Sequence, residues 1–114
     1  MYYKEIAGVK VSALGMGNMR LPKVEGQGEK IDWEKAQEII DYAMSHGITY
    51  YDTAYRYHGG ESELFLGEAL KKYPRESFLL ASKFPGHKLF EYFDCFIFLK
   101  QRHLMLPAAV CLQI

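Results

Sequence analysis

Tyr51-Asp52-Thr53-Ala54-Tyr55-Arg56-Tyr57-His58-Gly59-Gly60-Glu61-Ser62-Glu63 joins two kinds of hydrophobic pattern. Ile48 to Asp52, at its head, is a short β-rich run. Tyr55 to Gly60 is loop. Ser62 can cap a helix in which Leu66, Ala69, Leu70 and Tyr73 share one face. The stretch therefore reads strand, loop, helix, with Asp52 as the last residue of its strand.

The chain on either side repeats the alternation. Upstream, Asp32 is a good N-cap for a helix with Ala36, Ile39, Ile40, Ala43 and Met44 at helical spacing. Gly47 ends that helix, and His46 beside it suits the negative end of the helix dipole. Downstream, Pro74 stops the second helix, and Phe78-Leu79-Leu80-Ala81 is a continuous apolar run of the kind buried on both faces of a parallel sheet. Near the N-terminus, Tyr2–Ile6 and Val9–Ala13 flank Ala7-Gly8 as a hairpin. Leu14-Gly15-Met16-Gly17 reads as a short buried strand, and Asn18 to Lys30, with Pro22, Gly26 and Gly28, as a loop.

The predicted order is hairpin, β, α, β, α, β, which implies parallel β/α packing. A doubly wound sheet and a (β/α) barrel both fit this order. The dinucleotide fingerprint G-x-G-x-x-G is absent, because Arg20 stands where the third glycine would be.

Composition narrows the function. Lys plus Arg and Asp plus Glu each number 14 in 114 residues, so no basic excess points to nucleic acid. A hydrophobic fraction of 49% argues against disorder. Leu89–Leu99 and Leu104–Ile114, the most apolar stretches, are each shorter than the ~20 residues a spanning helix needs. Lys100 to His103 separates them. The N-terminus has no secretory pattern. The expectation is a cytoplasmic protein with no membrane or nucleic-acid partner. Cys95 and Cys111 make neither a disulfide framework nor a metal site and read as small apolar fillers.

Three polar residues carry the chemistry. Asp52 closes the second β run, Lys83 the third, and Tyr57 lies just after Asp52. Taken singly, each is most often a turn, packing or solvated residue. In (β/α) barrels, however, active sites form at the carboxyl ends of strands. A tyrosine hydroxyl ordinarily titrates near ~10 and donates poorly at neutral pH unless its phenolate is stabilised. A lysine ammonium can stabilise it, and an aspartate can keep a half-buried lysine charged. Together they make a general acid aimed at a carbonyl oxygen.

The run Tyr51–Tyr57 with Gly59-Gly60-Glu61-Ser62-Glu63 resembles the signature of the aldo-keto reductase family. Leu79-Leu80-Ala81-Ser82-Lys83 is similar to that family's third strand with its catalytic lysine. Leu14-Gly15-Met16-Gly17-Asn18-Met19-Arg20 resembles its first strand and loop. The resemblance covers roughly residues 1–88. It implies a (β/α)8 TIM barrel with an N-terminal hairpin plug, and NADPH- or NADH-dependent reduction of small carbonyl substrates. It implies Tyr57 as acid, Lys83 as the residue that tunes it, and Asp52 as the partner of Lys83. It also puts Gly17, Asn18, Met19 and Asp52 near the nicotinamide. Leu14–Pro22 and Phe84-Pro85-Gly86-His87 look closest to a prokaryotic branch. Some members of that branch carry a C-terminal iron–sulfur module, but Cys95 and Cys111 lack its spacing.

Beyond about Lys88 the resemblance ends. Tyr92–Leu99 bears a faint likeness to the family's next strand, with Leu99 at the position of a catalytic histidine and His103 four residues on. Only eight residues separate Lys83 from Tyr92, fewer than the dozen or so a parallel crossover needs. His58 and His87 read as loop residues away from the histidine position. The expectation is an incomplete barrel: a hairpin, three strands and two helices in residues 1–88, then a divergent apolar tail over 89–114 from truncation or frameshift. An open sheet edge and an apolar tail invite self-association. The alternative to an oxidoreductase is a non-catalytic fragment. A small α/β binding module has only the Gly-rich turns in its favour.

Overall fold

The structure, a computed structural model, describes residues 1–6, 8–84 and 109–113. In chain order the elements are β1 (Tyr3–Ile6), β2 (Val9–Ser12), β3 (Met16–Gly17), α1 (Trp33–Ser45), β4 (Tyr50–Asp52), α2 (Glu61–Ala69), β5 (Leu79–Phe84) and β6 (Ala109–Gln113). Single turns of 3-10 helix lie at Tyr57–Gly60, Leu70–Lys72 and Arg75–Ser77.

α1 begins where Asp32 Oδ1 accepts the Lys35 N–H at 3.2 Å, satisfying one of the free donors of the first turn. It ends in a left-handed residue, Gly47, at φ +82°. The Gly47 N–H donates to Met44 O and the Ile48 N–H to Ala43 O, both at 3.1 Å. This is the Schellman arrangement, which satisfies the last carbonyls and turns the chain into β4. A side chain at Gly47 would also collide with the Tyr3 hydroxyl. Ala36, Ile40 and Ala43 form the buried stripe of α1, whereas Ile39 is exposed.

α2 departs from the sequence reading. Its N-cap is Gly60, in the left-handed region at φ +99°, and not Ser62. Ser62 lies inside the first turn, fully buried, with its hydroxyl directed into the scaffold.

β3, β4, β5 and β6 form one parallel sheet in that order. α1 crosses from β3 to β4 and α2 from β4 to β5, the β/α alternation expected from the sequence. Leu21, Ile31, Ala36, Ile40, Tyr51, Phe65, Leu66, Phe78 and Leu80 fill the space between helices and sheet. Tyr51 and Phe65 are the largest buried side chains, and the Tyr51 ring meets Phe78 edge to face at 6.3 Å between centroids. Burying such rings contributes most of the cohesion, because their removal typically costs ~3–5 kcal/mol.

Two further expectations need correction. β3 is shorter and more exposed than the buried Leu14–Gly17 run expected, with Leu14 largely exposed and Met16 half-buried. It is an edge strand, paired only with β4 among the described residues. A fourth strand also exists beyond the three expected. It is Ala109–Gln113, which runs parallel to β5 with Lys83 opposite Leu112. The intervening 85–108 is long enough for a parallel crossover. The Tyr92–Leu99 candidate, with Cys95, Leu99, His87 and His103, lies outside the described residues.

The β1–β2 hairpin is antiparallel, pairing Tyr3 with Ser12 and Ile6 with Val9. Reciprocal bonds join it to the residue before β4: Ser12 N–H to Thr49 Oγ1 at 2.8 Å, and Thr49 N–H to Ser12 Oγ at 2.9 Å. The hairpin thus sits at the amino end of β4, away from Asp52.

Candidate active site

Asp52 ends β4 and pairs in register with Ala81. Side chains two residues apart on a strand share a face, so Lys83 emerges on the same side of the sheet as Asp52. That side is opposite the core formed by Tyr51 and Leu80. The Lys83 ammonium lies 2.6 Å from Asp52 Oδ2 and donates to the Thr53 carbonyl at 3.0 Å. It also sits 4.8 Å from the centroid of the Tyr57 ring. The three residues singled out from the sequence therefore meet at the carboxyl edge of the sheet.

The ion pair is largely but not wholly removed from water, with side chains 19% and 28% exposed for lysine and aspartate. Burial alone would push the Lys83 ammonium towards neutrality. Hydrogen bonds with Asp52 and Tyr57, and the charge of Asp52, outweigh it and raise its pKa above the ordinary lysine value. Lys83 is thus a fixed cation beside a phenol.

The scaffold under this edge is polar and buried. The Asp52 carbonyl accepts the Asn18 backbone N–H and the Asn18 side-chain amide, both at 2.9 Å. The Thr53 N–H donates to Ala81 O at 2.9 Å. Ser62 Oγ lies 2.8 Å from Thr53 Oγ1 and donates to the Asn18 carbonyl at 3.0 Å. Because Ser62 has one proton and gives it to that carbonyl, the Thr53 hydroxyl is the donor between the two. Ser82 Oγ donates to the buried Glu63 carboxylate at 2.6 Å. These bonds fix the backbone that presents both acceptors of Lys83.

Of the loop residues singled out, Gly17 and Met19 are exposed, while Asn18 is fully buried and spends its amide on Met16 O and Asp52 O. A Cβ at Gly17, which pairs in register with Asp52, would meet nothing within 4 Å. His58, read as a loop residue, is buried and bonded through both ring nitrogens. Thr53, Glu61, Glu63 and Ser82 were given no role of their own in the sequence, while Ser62 was read as a helix cap and His58 as a loop residue. The available signal was Ser82 itself, a hydroxyl directly after the apolar Phe78–Ala81 run. Among the described residues no group of three or more His, Cys, Asp or Glu side chains could hold a metal ion, and no helix is long and apolar enough to cross a membrane.

Comparison with known proteins bears on the family. A sequence profile of the aldo/keto reductase family matches residues 13–97. A probable aldo-keto reductase from Glycine max is 40% identical over 77 residues, 68% of this chain and 22% of that one. The versiconal hemiacetal acetate reductase of Aspergillus parasiticus is 38% identical over 79 residues, covering 68% of this chain and 23% of that one. The holo form of an aldo-keto reductase from Bacillus halodurans superposes with a TM-score of 0.60 at 36% identity, over 74% of this chain and 26% of that structure. The chain thus spans about a quarter of the length of the curated relatives it matches. These structures are (β/α)8 barrels, of which the described strands form an open part. With the profile over most of its length and the Asp52, Tyr57 and Lys83 motifs meeting at the carboxyl edge of a parallel sheet, this chain belongs to the aldo/keto reductase family.

Proposed function

We propose that this chain supplies the proton-donating half of a carbonyl reductase, with Tyr57 as general acid, Lys83 as its electrostatic partner and Asp52 as the group that holds Lys83. The observation that carries this reading is the Lys83 ammonium held 2.6 Å from Asp52 and 4.8 Å from the Tyr57 ring centroid. A reduced nicotinamide, NADPH or NADH, would supply the hydride to the carbonyl carbon. The Tyr57 hydroxyl gives its proton to the carbonyl oxygen as the alcohol forms. The phenolate left behind is held by the adjacent ammonium until it regains a proton from water. Gly17 and Met19 flank Asn18, which is bonded to Asp52 and sets their course. Their exposure fits a flat ring lying across the sheet edge.

The small carbonyl substrate, a cytoplasmic location and membership of a prokaryotic branch belong to the same proposal. So does pairing through the open edges of the sheet, since β3 presents an unpaired side among the described residues.

A closed barrel needs eight strands and typically about 250 residues. We therefore expect the 114-residue polypeptide by itself not to turn over, since misplacement by ~1 Å can cost a hundredfold. Its purification and assay with a panel of aldehydes and ketones, following NADPH absorbance, tests this. A polypeptide extended to a full barrel is the positive control. In that extended protein Tyr57→Phe should lower kcat by ~10²–10⁴-fold and leave cofactor affinity nearly unchanged. Turnover close to that of the unsubstituted protein would remove Tyr57 from the acid role.

A further inference from the structure

His58 follows Tyr57 directly and takes an unfavourable backbone conformation, φ 53° and ψ 43°. Gly59 and Gly60 continue in the same region, at φ 62° and 99°. Glycine adopts it freely, but a residue with a Cβ does not. Local backbone bonds close the turn, from Tyr57 N–H to Ala54 O and from Glu61 N–H to His58 O, but they leave the His58 imidazole to be held by tertiary bonds.

The bonds come from the segment Leu21–Trp33. The Leu21 N–H donates to His58 Nε2 at 2.9 Å, and the Glu29 carbonyl lies 3.1 Å from Nδ1. A backbone N–H only donates, so Nε2 carries a lone pair. A carbonyl only accepts, so Nδ1 carries the proton. The imidazole is 1% exposed, which leaves no water to replace either bond. Three residues on, Glu61 accepts the Ile31 N–H at 3.0 Å with one carboxylate oxygen and the Trp33 indole N–H at 2.7 Å with the other. The segment is also closed on itself, through Val24 N–H to Lys30 O at 2.9 Å and Asp32 N–H to Pro22 O at 2.8 Å. It is a preformed lobe seated on the Tyr57–Gly60 turn by two side chains.

We infer that His58, held in the Nδ1–H tautomer, is a positioning residue that, with Glu61, seats the Leu21–Trp33 lobe on this turn and so keeps the Tyr57 ring against Lys83. The inference deepens, and rests on, the reading of Tyr57 as the proton donor. Releasing the lobe frees the left-handed turn to relax, and the phenol leaves the ammonium with it.

The test uses the 114-residue chain and needs no turnover. Long-range proton–nitrogen correlation spectra of ¹⁵N-labelled protein report which His58 nitrogen is protonated. Nδ1 is expected, and a proton on Nε2 overturns the inference. The Lys83 ε-methylene protons near the Tyr57 ring should carry a ring-current shift, calibrated as the part lost in Tyr57→Leu. His58→Ala should lose most of that shift and raise Leu21 amide exchange by about tenfold or more. His58→Asn, which tolerates the left-handed backbone and offers a donor and an acceptor, should recover part of both. Faster exchange with an undiminished ring-current shift would leave His58 merely structural and overturn the positioning role. Should His58→Ala fail to fold, the tautomer and the milder Glu61→Gln variant decide, and an undiminished shift in Glu61→Gln counts against the clamp. Loss of the acid role in the turnover assay would leave these spectra unchanged, so the two readings fail separately.

Discussion

The hairpin and the Thr53–Glu63 turn lie at opposite ends of β4, and the chain builds them by different physics. All four residues of β1 are exposed, as is the first half of β2, while Val11 and Ser12 are buried; Tyr3, Lys10 and Ser12 bond the hairpin to Gly47 and Thr49. In the turn, Thr53, Ser62 and Glu63 have no measurable exposure; the Thr53 and Ser62 hydroxyls bond to each other and on to the Asn18 carbonyl, and the buried His58 imidazole bonds backbone groups of Leu21 and Glu29. Satisfied buried networks specify one arrangement because each lost partner leaves a desolvated group unpaired. An exposed hairpin loses little when one side chain changes. The buried polar bonds described above thus gather at the end of the sheet where the chemistry is proposed.

Variants at the two ends test this contrast. The largest expected effect is the Tyr57→Phe loss of kcat given above, and a hairpin variant such as Tyr2→Ser should leave kcat within about twofold. Comparable losses from both would erase the contrast. Next in size is the buried hydroxyl chain. Thr53→Val keeps the shape but removes the donor to Ser62, and should cost ~1–3 kcal/mol in urea unfolding, with Thr53→Ser recovering most of it.

Asp52→Asn sharpens the comparison electrostatically. The pKa of Lys83 is raised above its ordinary 10.5 because Asp52 and Tyr57 outweigh burial. A raised lysine stabilises the fold in full below the unfolded-state value, and that contribution fades as pH climbs through the folded value. The difference in stability between the unsubstituted chain and Asp52→Asn should therefore be constant from neutral pH to about 10 and shrink above it. In the variant, Lys83 should titrate lower than in the parent. Denaturation midpoints across the alkaline range and NMR titration of the Lys83 ε-methylene check both. The smallest effect is expected at the exposed hairpin, where Ile6→Ser should change stability by no more than about 0.5 kcal/mol. A large loss there would mean that the hairpin is packed in solution against something other than β4.

Much of this was legible in the residues. Asp32, the stripe of Ala36, Ile40 and Ala43, Gly47 and the apolar Phe78–Ala81 run specify α1, its ends and β5 through local rules. Capping, helical period and glycine's left-handed freedom act within a few residues and need no partner. Asp52 could be placed as the last residue of its strand, and Lys83, read as the last of the third, lies one residue before the end of β5. What the sequence did not determine depends on contacts far along the chain. Ser62 looks like a cap by spacing, yet its hydroxyl bonds a carbonyl 44 residues away. His58 looks like loop, yet Leu21 and Glu29, 37 and 29 residues away, enclose it. The strand at Ala109–Gln113 lies in the stretch read as a divergent apolar tail, and its pairing with β5 joins residues 29 apart, Leu80 and Ala109. Backbone propensity is set by neighbours in sequence, but the partner of a buried polar group is set by whatever the packed core brings within about 3 Å, and only the tertiary structure decides that.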